Sequence, residues 1–433
     1  MTKSQMASTP TRRAFVSRLG AVAAGSIAMM RTTKTFGQTP TGANDRIGVG
    51  IIGCGGRGRH HAGELEKMRA NGAPIAITAV CDVYRPRMEA AALQCNANRY
   101  MDHRELLSDS NVDVVCIATP DHIHGPQVID AVLAGKDVYC EKPFTHWRQF
   151  DVTKAVVDAV KSSGRVFQVG TQGMSDSAWH QMRALVDQGL IGTPIQAECG
   201  YFRVGDWGER GMPIDDPAAV AGPDLNWEAF LGDAPKRDFD VSRFFRWRMY
   251  EDYSGGPVTD LFPHSLTPVV HALSLGTPEL AVATGGKFRY EEREVPDTFN
   301  MLIDYNRLTV AVLGTQGNNC QGAHGRGAGG RCPTLRGWEG TLTVERVGDT
   351  AEDEIVFRPA EGSKKELQRF PIDHRESVQA HWQNLLDCVR TRQQPHGGID
   401  LAFHVQVALQ MAALAHRGDK TVRFNAATQS IAT

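Results

Sequence analysis

The chain has 433 residues, 41% hydrophobic and 22% charged, which excludes a disordered polymer and leaves room for two domains of ordinary size. Its formal net charge of −2 speaks against nucleic acid or an acidic membrane as the main partner, and no apolar run reaches the ~18–20 residues of a membrane span. The nine cysteines include no Cys-x-x-Cys pair, so a structural zinc site is not expected.

In chain order, the first signal is Thr11-Arg12-Arg13-Ala14-Phe15-Val16, followed by a weakly apolar stretch from Leu19 to Met30. A basic region ahead of a short apolar one resembles a twin-arginine signal peptide. Residues 1–40 are therefore set aside from the fold. The resemblance implies an exported, periplasmic protein, carried already folded by the twin-arginine translocase.

Arg46 to Ile52 reads as a buried strand. Gly53-Cys54-Gly55-Gly56-Arg57-Gly58 fits G-x-G-x-x-G and leads into a helical stretch from His60 to Ala70. Each glycine has its own reason. Gly53 permits the tight turn, Gly55 lets a pyrophosphate approach the backbone, and Gly58 lets the helix pack on the strand. The helix N-terminus faces the phosphates. A second strand, Ile75 to Cys81, ends in Asp82, 29 residues after Gly53. A carboxylate there bonds the adenosine ribose hydroxyls and repels a 2′-phosphate, favouring NAD over NADP. Arg85 and Arg87 stand close enough to weaken that preference.

The alternation continues. Val112 to Ala118 is a strand ending in Thr119-Pro120, and Val128 to Ala134 is helical. Asp137 to Cys140 is a strand ending in Glu141-Lys142-Pro143. Val152 to Ser162 is helical, and Val166 to Val169 is a strand ending in Gly170-Thr171-Gln172. This predicts a doubly wound parallel sheet over residues 44–173, with ligands beyond the carboxyl ends of its strands.

Five stretches together resemble the Gfo/Idh/MocA oxidoreductases, relatives of glucose–fructose oxidoreductase and inositol dehydrogenase. They are "GIIGCGGRGRHH", "CIATPDHIHGPQVIDAVLAGKDVYCEKPF", "VFQVGTQ", "GGPVTDLFPHSLTPVVHAL" and the segment from His381 to Phe424. "RFFRWRMYEDYSGGPVTD" resembles the exported branch. The resemblance implies a C-terminal α+β domain over residues 174–425, with an open, mainly antiparallel sheet that covers the nicotinamide and mediates a homodimer or homotetramer. Phe299 to Tyr305, Leu308 to Leu313 and Thr341 to Val347 read as its strands. Ser377 to Arg417 reads as long helices packing back on the first domain.

The resemblance places NAD against Gly53, Cys54, Gly55, Gly56, Arg57, Gly58, Asp82, Thr119, Pro120, His124, Glu141, Lys142 and Gln172. It assigns catalysis to Lys142, Asp260 and His264, the groups that would take or relay a hydroxyl proton. Asp260, just ahead of Pro263, would also suit a helix cap. Thr267 stands where many members have an aspartate, and can still bond a sugar hydroxyl. Arg203, Asp206, Trp207, Arg246 and Trp247 mix charge and aromatic faces as a sugar site would. In Asp121-His122-Ile123-His124 a metal is not expected. Gly314 to Gly337 reads as a long loop in which Cys320 and Cys332 could pair.

The expected activity is oxidation or reduction of a secondary hydroxyl on a sugar, glycoside or polyol. The alternative is NAD-dependent glycoside hydrolysis through transient oxidation, since "HSLTPV" resembles "HGLGPV" of an exported glycosidase family. A non-catalytic sugar sensor is disfavoured by the intact Lys142, Asp260 and His264. Outside the cytosol no nicotinamide pool exists, so export implies a tightly bound cofactor regenerated in place.

Overall fold

The computed structural model describes residues 46–204, 212–319, 333–348 and 352–432. The signal-like segment, Asp206, Trp207, Cys320 and Cys332 lie outside them, and so does the Cys320–Cys332 pairing.

The first sheet is built from β1 (Ile47–Ile52), β2 (Ile75–Cys81), β3 (Asn98–Tyr100), β4 (Val114–Ile117), β5 (Asp137–Cys140) and β6 (Phe167–Val169). Its order is β3-β2-β1-β4-β5-β6 and every pairing is parallel. The order reverses between β1 and β4, and ligands of such sheets sit at that switch point. β1, β4 and β5 are buried along their whole length, as expected of parallel strands covered on both faces. The predicted alternation is present, with three additions: the helices Arg85–Cys95 and His103–Leu107, and β3 between them.

The second sheet contains β7 (Pro194–Val204), β8 (Leu280–Gly286), β9 (Thr298–Tyr305), β10 (Leu308–Thr315), β11 (Gly317–Asn318), β12 (Thr334–Gly337), β13 (Gly340–Arg346), β14 (Asp353–Pro359), β15 (Gln368–Pro371), β16 (Val422–Asn425) and β17 (Ser430–Ala432). Its order is β15-β14-β13-β12-β7-β10-β9-β8-β16-β17, with β11 beside β7. Only β7 and β10 run parallel among these pairs. Side chains alternate along β9, where Phe299, Met301, Ile303 and Tyr305 point into the core. They meet the helices Ser177–Asp187, Phe262–Ala272 and Ile399–Gly418 through Met182, Leu266, Val269 and Ala412.

The C-terminal helices do pack back. Trp382, Leu385, Leu386 and Val389 of helix Val378–Thr391 join Val49, Ile51, Ala62 and Leu65 in one core of the first sheet. Among the described residues no helix is long and apolar enough to cross a membrane.

Residues 212–253 form a strap of short helices around an aromatic cluster of Trp227, Phe230, Phe244, Phe245, Trp247 and Tyr253, completed by Tyr84 from the loop after β2. Backbone bonds stitch the two together: Asn226 N–H donates to Val83 O at 2.9 Å, and Arg85 N–H donates to Asp224 O at 2.8 Å.

Candidate active site

The glycine loop is tight behind and open in front. Gly53 sits at φ +93°, and a Cβ there would lie 2.8 Å from Ala118 O. A Cβ on Gly58 would fall 1.8 Å from Gly53 O, so helix Gly56–Ala70 reaches its strand only through a glycine. A Cβ on Gly56 would meet nothing within 4 Å, and one on Gly55 only the Arg87 guanidinium at 3.2 Å. That side opens on a cavity of about 1250 Å³. Free amides at a helix start, facing open space, fit the pyrophosphate of a dinucleotide.

At one end of this cavity stands Asp82. Its Oδ2 accepts from Cys54 N–H at 2.7 Å and its Oδ1 from Tyr84 N–H at 2.8 Å. Burial pushes the Asp82 carboxyl up, and Arg87 and the two amides act against that. The two arginines of the following loop are engaged by the strap. Arg85 Nε donates to Asp224 Oδ1 at 2.7 Å, and Arg87 Nε to Asp215 Oδ2 at 2.6 Å.

Behind the loop lies a buried polar chain. Glu141 Oε1 accepts from Arg57 Nε at 2.7 Å, from His61 Nε2 at 2.8 Å and from Gln172 Nε2 at 3.4 Å. Trp382 Nε1–H donates to His61 Nδ1 at 3.0 Å, which assigns the ring proton to Nε2. Burial lowers His61 to about 4, so the ring is neutral. Burial alone would raise Glu141, but Arg57 and His61 outweigh it and hold the carboxyl well below its usual range.

Several residues expected against the cofactor, Lys142 among them, are not part of this cavity's lining. Glu141 and Gln172 brace the loop. Cys54 contributes its amide to Asp82, and its side chain is 1% exposed. Gly58 faces the strand. His124 is 1% exposed, with its ring nitrogens 2.7 Å from Pro143 O and from Thr119 O. It ties the end of β4 to the loop that begins with the cis Lys142–Pro143 bond. Gly53, Gly55, Gly56, Arg57, Asp82, Thr119 and Pro120 do line the cavity.

Asp260 lines the cavity too, and Lys142 Nζ donates to both its Oδ1 and its backbone O, each at 2.6 Å. Both side chains are nearly buried, 9% and 11% exposed. Arg248 Nε lies 3.4 Å from the same Oδ1. Burial would raise the Asp260 carboxyl; Lys142 and Arg248 reverse this and hold it well below its usual range. Asp260 closes the short helix Pro257–Asp260, and the next helix starts after Leu261 without a side-chain cap. The capping alternative therefore fails: its carboxylate belongs to Lys142. His264 follows on helix Phe262–Ala272 and is half-buried.

The weaker substrate assignments change. Thr267 is 2% exposed and donates to Pro263 O at 2.5 Å, a turn back in its own helix, so it faces no substrate. Arg246 Nε donates to Met212 O at 3.1 Å and holds the strap. Trp247 lines the cavity and carries the Arg248 guanidinium 4.2 Å above its ring. Arg203 lines it too.

Two models of one family match the chain: "Oxidoreductase family, NAD-binding Rossmann fold" over residues 47–171, and "Oxidoreductase family, C-terminal alpha/beta domain" over residues 175–284. The chain belongs to the Gfo/Idh/MocA oxidoreductase family. Among its relatives is the inositol 2-dehydrogenase/D-chiro-inositol 3-dehydrogenase of Lactiplantibacillus plantarum. It is 34% identical over 159 residues, 36% of this chain and 43% of that protein. The chain thus aligns with about half the length of the curated relatives it matches. A levoglucosan dehydrogenase in complex with NADH superposes with a TM-score of 0.64 at 18% identity, covering 87% of this chain and 99% of that one. The WlbA dehydrogenase from Bordetella pertussis, in complex with NADH and UDP-GlcNAcA, gives 0.63 at 17%, covering 88% and 99%. At these identities the two structures establish the shared fold.

Within this Gfo/Idh/MocA frame, two groups beside the Lys142–Asp260 pair lie outside the site residues chosen from sequence. Arg248 lies two residues beyond the arginine chosen from sequence. Asp121 opens helix Asp121–Leu133 directly after Thr119-Pro120 and is 4% exposed. Burial pushes it up to about 7, against the pull of Arg248 and Lys142. Its place after a strand end was the available signal.

Proposed function

We propose that this protein is an NAD-dependent oxidoreductase acting on a secondary hydroxyl of a sugar, glycoside or polyol, with its cofactor tightly held. The observation that carries the reading is the nearly buried Lys142–Asp260 pair, whose Asp260 lines the same cleft as an open glycine cradle. A nicotinamide dinucleotide bound there supplies the hydride acceptor or donor. Lys142 bonds the reacting hydroxyl and moves its proton. Asp260, kept ionised, fixes the Lys142 Nζ from two oxygens, and His264 relays the proton onward. Arg248 and Trp247 give the substrate a polar edge and a flat apolar face.

The names of the relatives support this, since they are dehydrogenases of inositols and sugars. The hydrolase alternative draws no support from them. The strap across the adenosine end supports tight retention. Export by the twin-arginine translocase to the periplasm rests on residues 11–30, and a homodimer or homotetramer on the family resemblance; both belong to the proposal.

The test is mass spectrometry of the denatured protein for bound dinucleotide, followed by nicotinamide absorbance with a panel of inositols and aldoses. Bound NAD reduced by a polyol is the expected result. Absence of dinucleotide would overturn the reading. Phenol release from aryl glycosides without net reduction would replace it by the hydrolase.

A further inference from the structure

The loop after β2 carries two arginines, Arg85 and Arg87. Arg87 reaches back over the glycine loop, close enough that its Nη1 would touch a Cβ on Gly55 at 3.2 Å. It lines the same cavity as Asp82. A guanidinium beside the ribose carboxylate is the usual means of accepting a 2′-phosphate.

Here that guanidinium is engaged through its Nε edge. Asp215 of the strap accepts from Arg87 Nε at 2.6 Å, the two side chains being 15% and 25% exposed. The Arg87 guanidinium also lies 5.0 Å over the ring of Phe245, which is fully buried in the strap's aromatic cluster. Both faces of its anchorage come from the strap. Two neighbouring arginines also have acidic partners: Arg85 lies 2.7 Å from Asp224, and the exposed Arg104 3.5 Å from Asp130. A 2′-phosphate would therefore meet the carboxylates of Asp82 and Asp215, both of which line the cavity, and no unpaired guanidinium among these three.

We propose that Asp215 is the residue that makes the cleft selective for NAD, by sequestering Arg87 from the 2′ position. The inference rests on the dinucleotide reading above. It differs from the role of Asp82, which repels the 2′-phosphate from the floor of the site; Asp215 acts by occupying the group that would otherwise attract it.

The experiment uses the full chain and needs no substrate. Wild type, Asp215→Asn, Arg87→Gln and the double variant are each equilibrated with an equimolar mixture of NAD and NADP. They are then desalted and denatured, and the two nucleotides are quantified by mass spectrometry. The wild type carries mostly NAD. Asp215→Asn raises the NADP-to-NAD ratio by about tenfold or more, the scale of one charge-assisted guanidinium–phosphate contact. The double variant returns to the wild-type ratio, and Arg87→Gln alone stays there. A ratio unchanged in Asp215→Asn overturns the inference, and so does a gain that survives removal of Arg87. If Asp215→Asn loses both nucleotides, Asp215 is an anchor for the strap and the inference falls. A wild type that binds neither dinucleotide overturns the cofactor reading itself.

Discussion

Glu141→Ala removes the acceptor at the centre of the chain behind the glycine loop. Three donors lose their partner: Arg57 Nε, His61 Nε2 and Gln172 Nε2. Arg57 is 29% exposed on its side chain and can turn into the cavity. His61 is fully buried and cannot; its Nδ1 stays with Trp382, and its Nε2–H is left without an acceptor. Breaking a buried ion pair costs about 3–5 kcal/mol, and an orphaned buried N–H about 1–3 within that total. Relaxation of Arg57 places the expected loss near the lower bound, about 3 kcal/mol. Glu141→Gln keeps an acceptor oxygen and should cost roughly half as much. The assay is urea unfolding at neutral pH, read by tryptophan fluorescence, because Trp382 bonds the affected ring. The pH dependence has a definite sign. The folded carboxyl is held below its unfolded value, so its contribution is present above the unfolded value and fades as pH falls through the folded one. Glu141→Gln should flatten that acid limb. A loss below about 1 kcal/mol in Glu141→Ala would refute the view that the chain is a buried support.

Lys142→Ala should lower turnover by about 10²- to 10⁴-fold, the usual contribution of a positioned proton-transfer group, with dinucleotide content by mass spectrometry retained. Thr267→Val should leave kcat/KM within about threefold, since its hydroxyl serves only its own helix. Acidification from about pH 7 to about pH 5 should destabilise the fold through His61, His122 and His381, each buried and lowered to about 4. Their unfolded rings take up protons that the folded rings refuse, so stability falls with pH between the unfolded value and about 4, by roughly 2 kcal/mol per ring at pH 5. Differential scanning calorimetry across that range checks it; a flat melting temperature would contradict the assigned burial.

β2 and β5 were read from sequence with the bounds the structure has, because a short apolar run between polar turns is a local signal. The glycine loop was legible for the same reason: its spacing is local and each glycine answers to a contact within its own βα unit. His124 and Glu141 were recognised as important but misplaced. Residue type announces a polar role, while the direction a side chain faces depends on partners as far as 84 residues away. Arg246 and Arg248 flank one tryptophan in a single 3₁₀ turn, Trp247–Met249, and no periodicity in that short stretch says which one enters the cavity. The strap has no period of its own; its cluster closes only with Tyr84.

Because Trp382 holds the ring behind the glycine loop, the nucleotide half is not a module that ends with β6. A premature stop at Glu376 would not trim an appendage. It would open the floor under the glycine helix and leave Trp382's neighbours His61 and Tyr139 facing water. Excision of residues 46–173 as a stand-alone nucleotide binder should fail for the same reason, and a nonsense lesion late in the reading frame should be as damaging as one early in it.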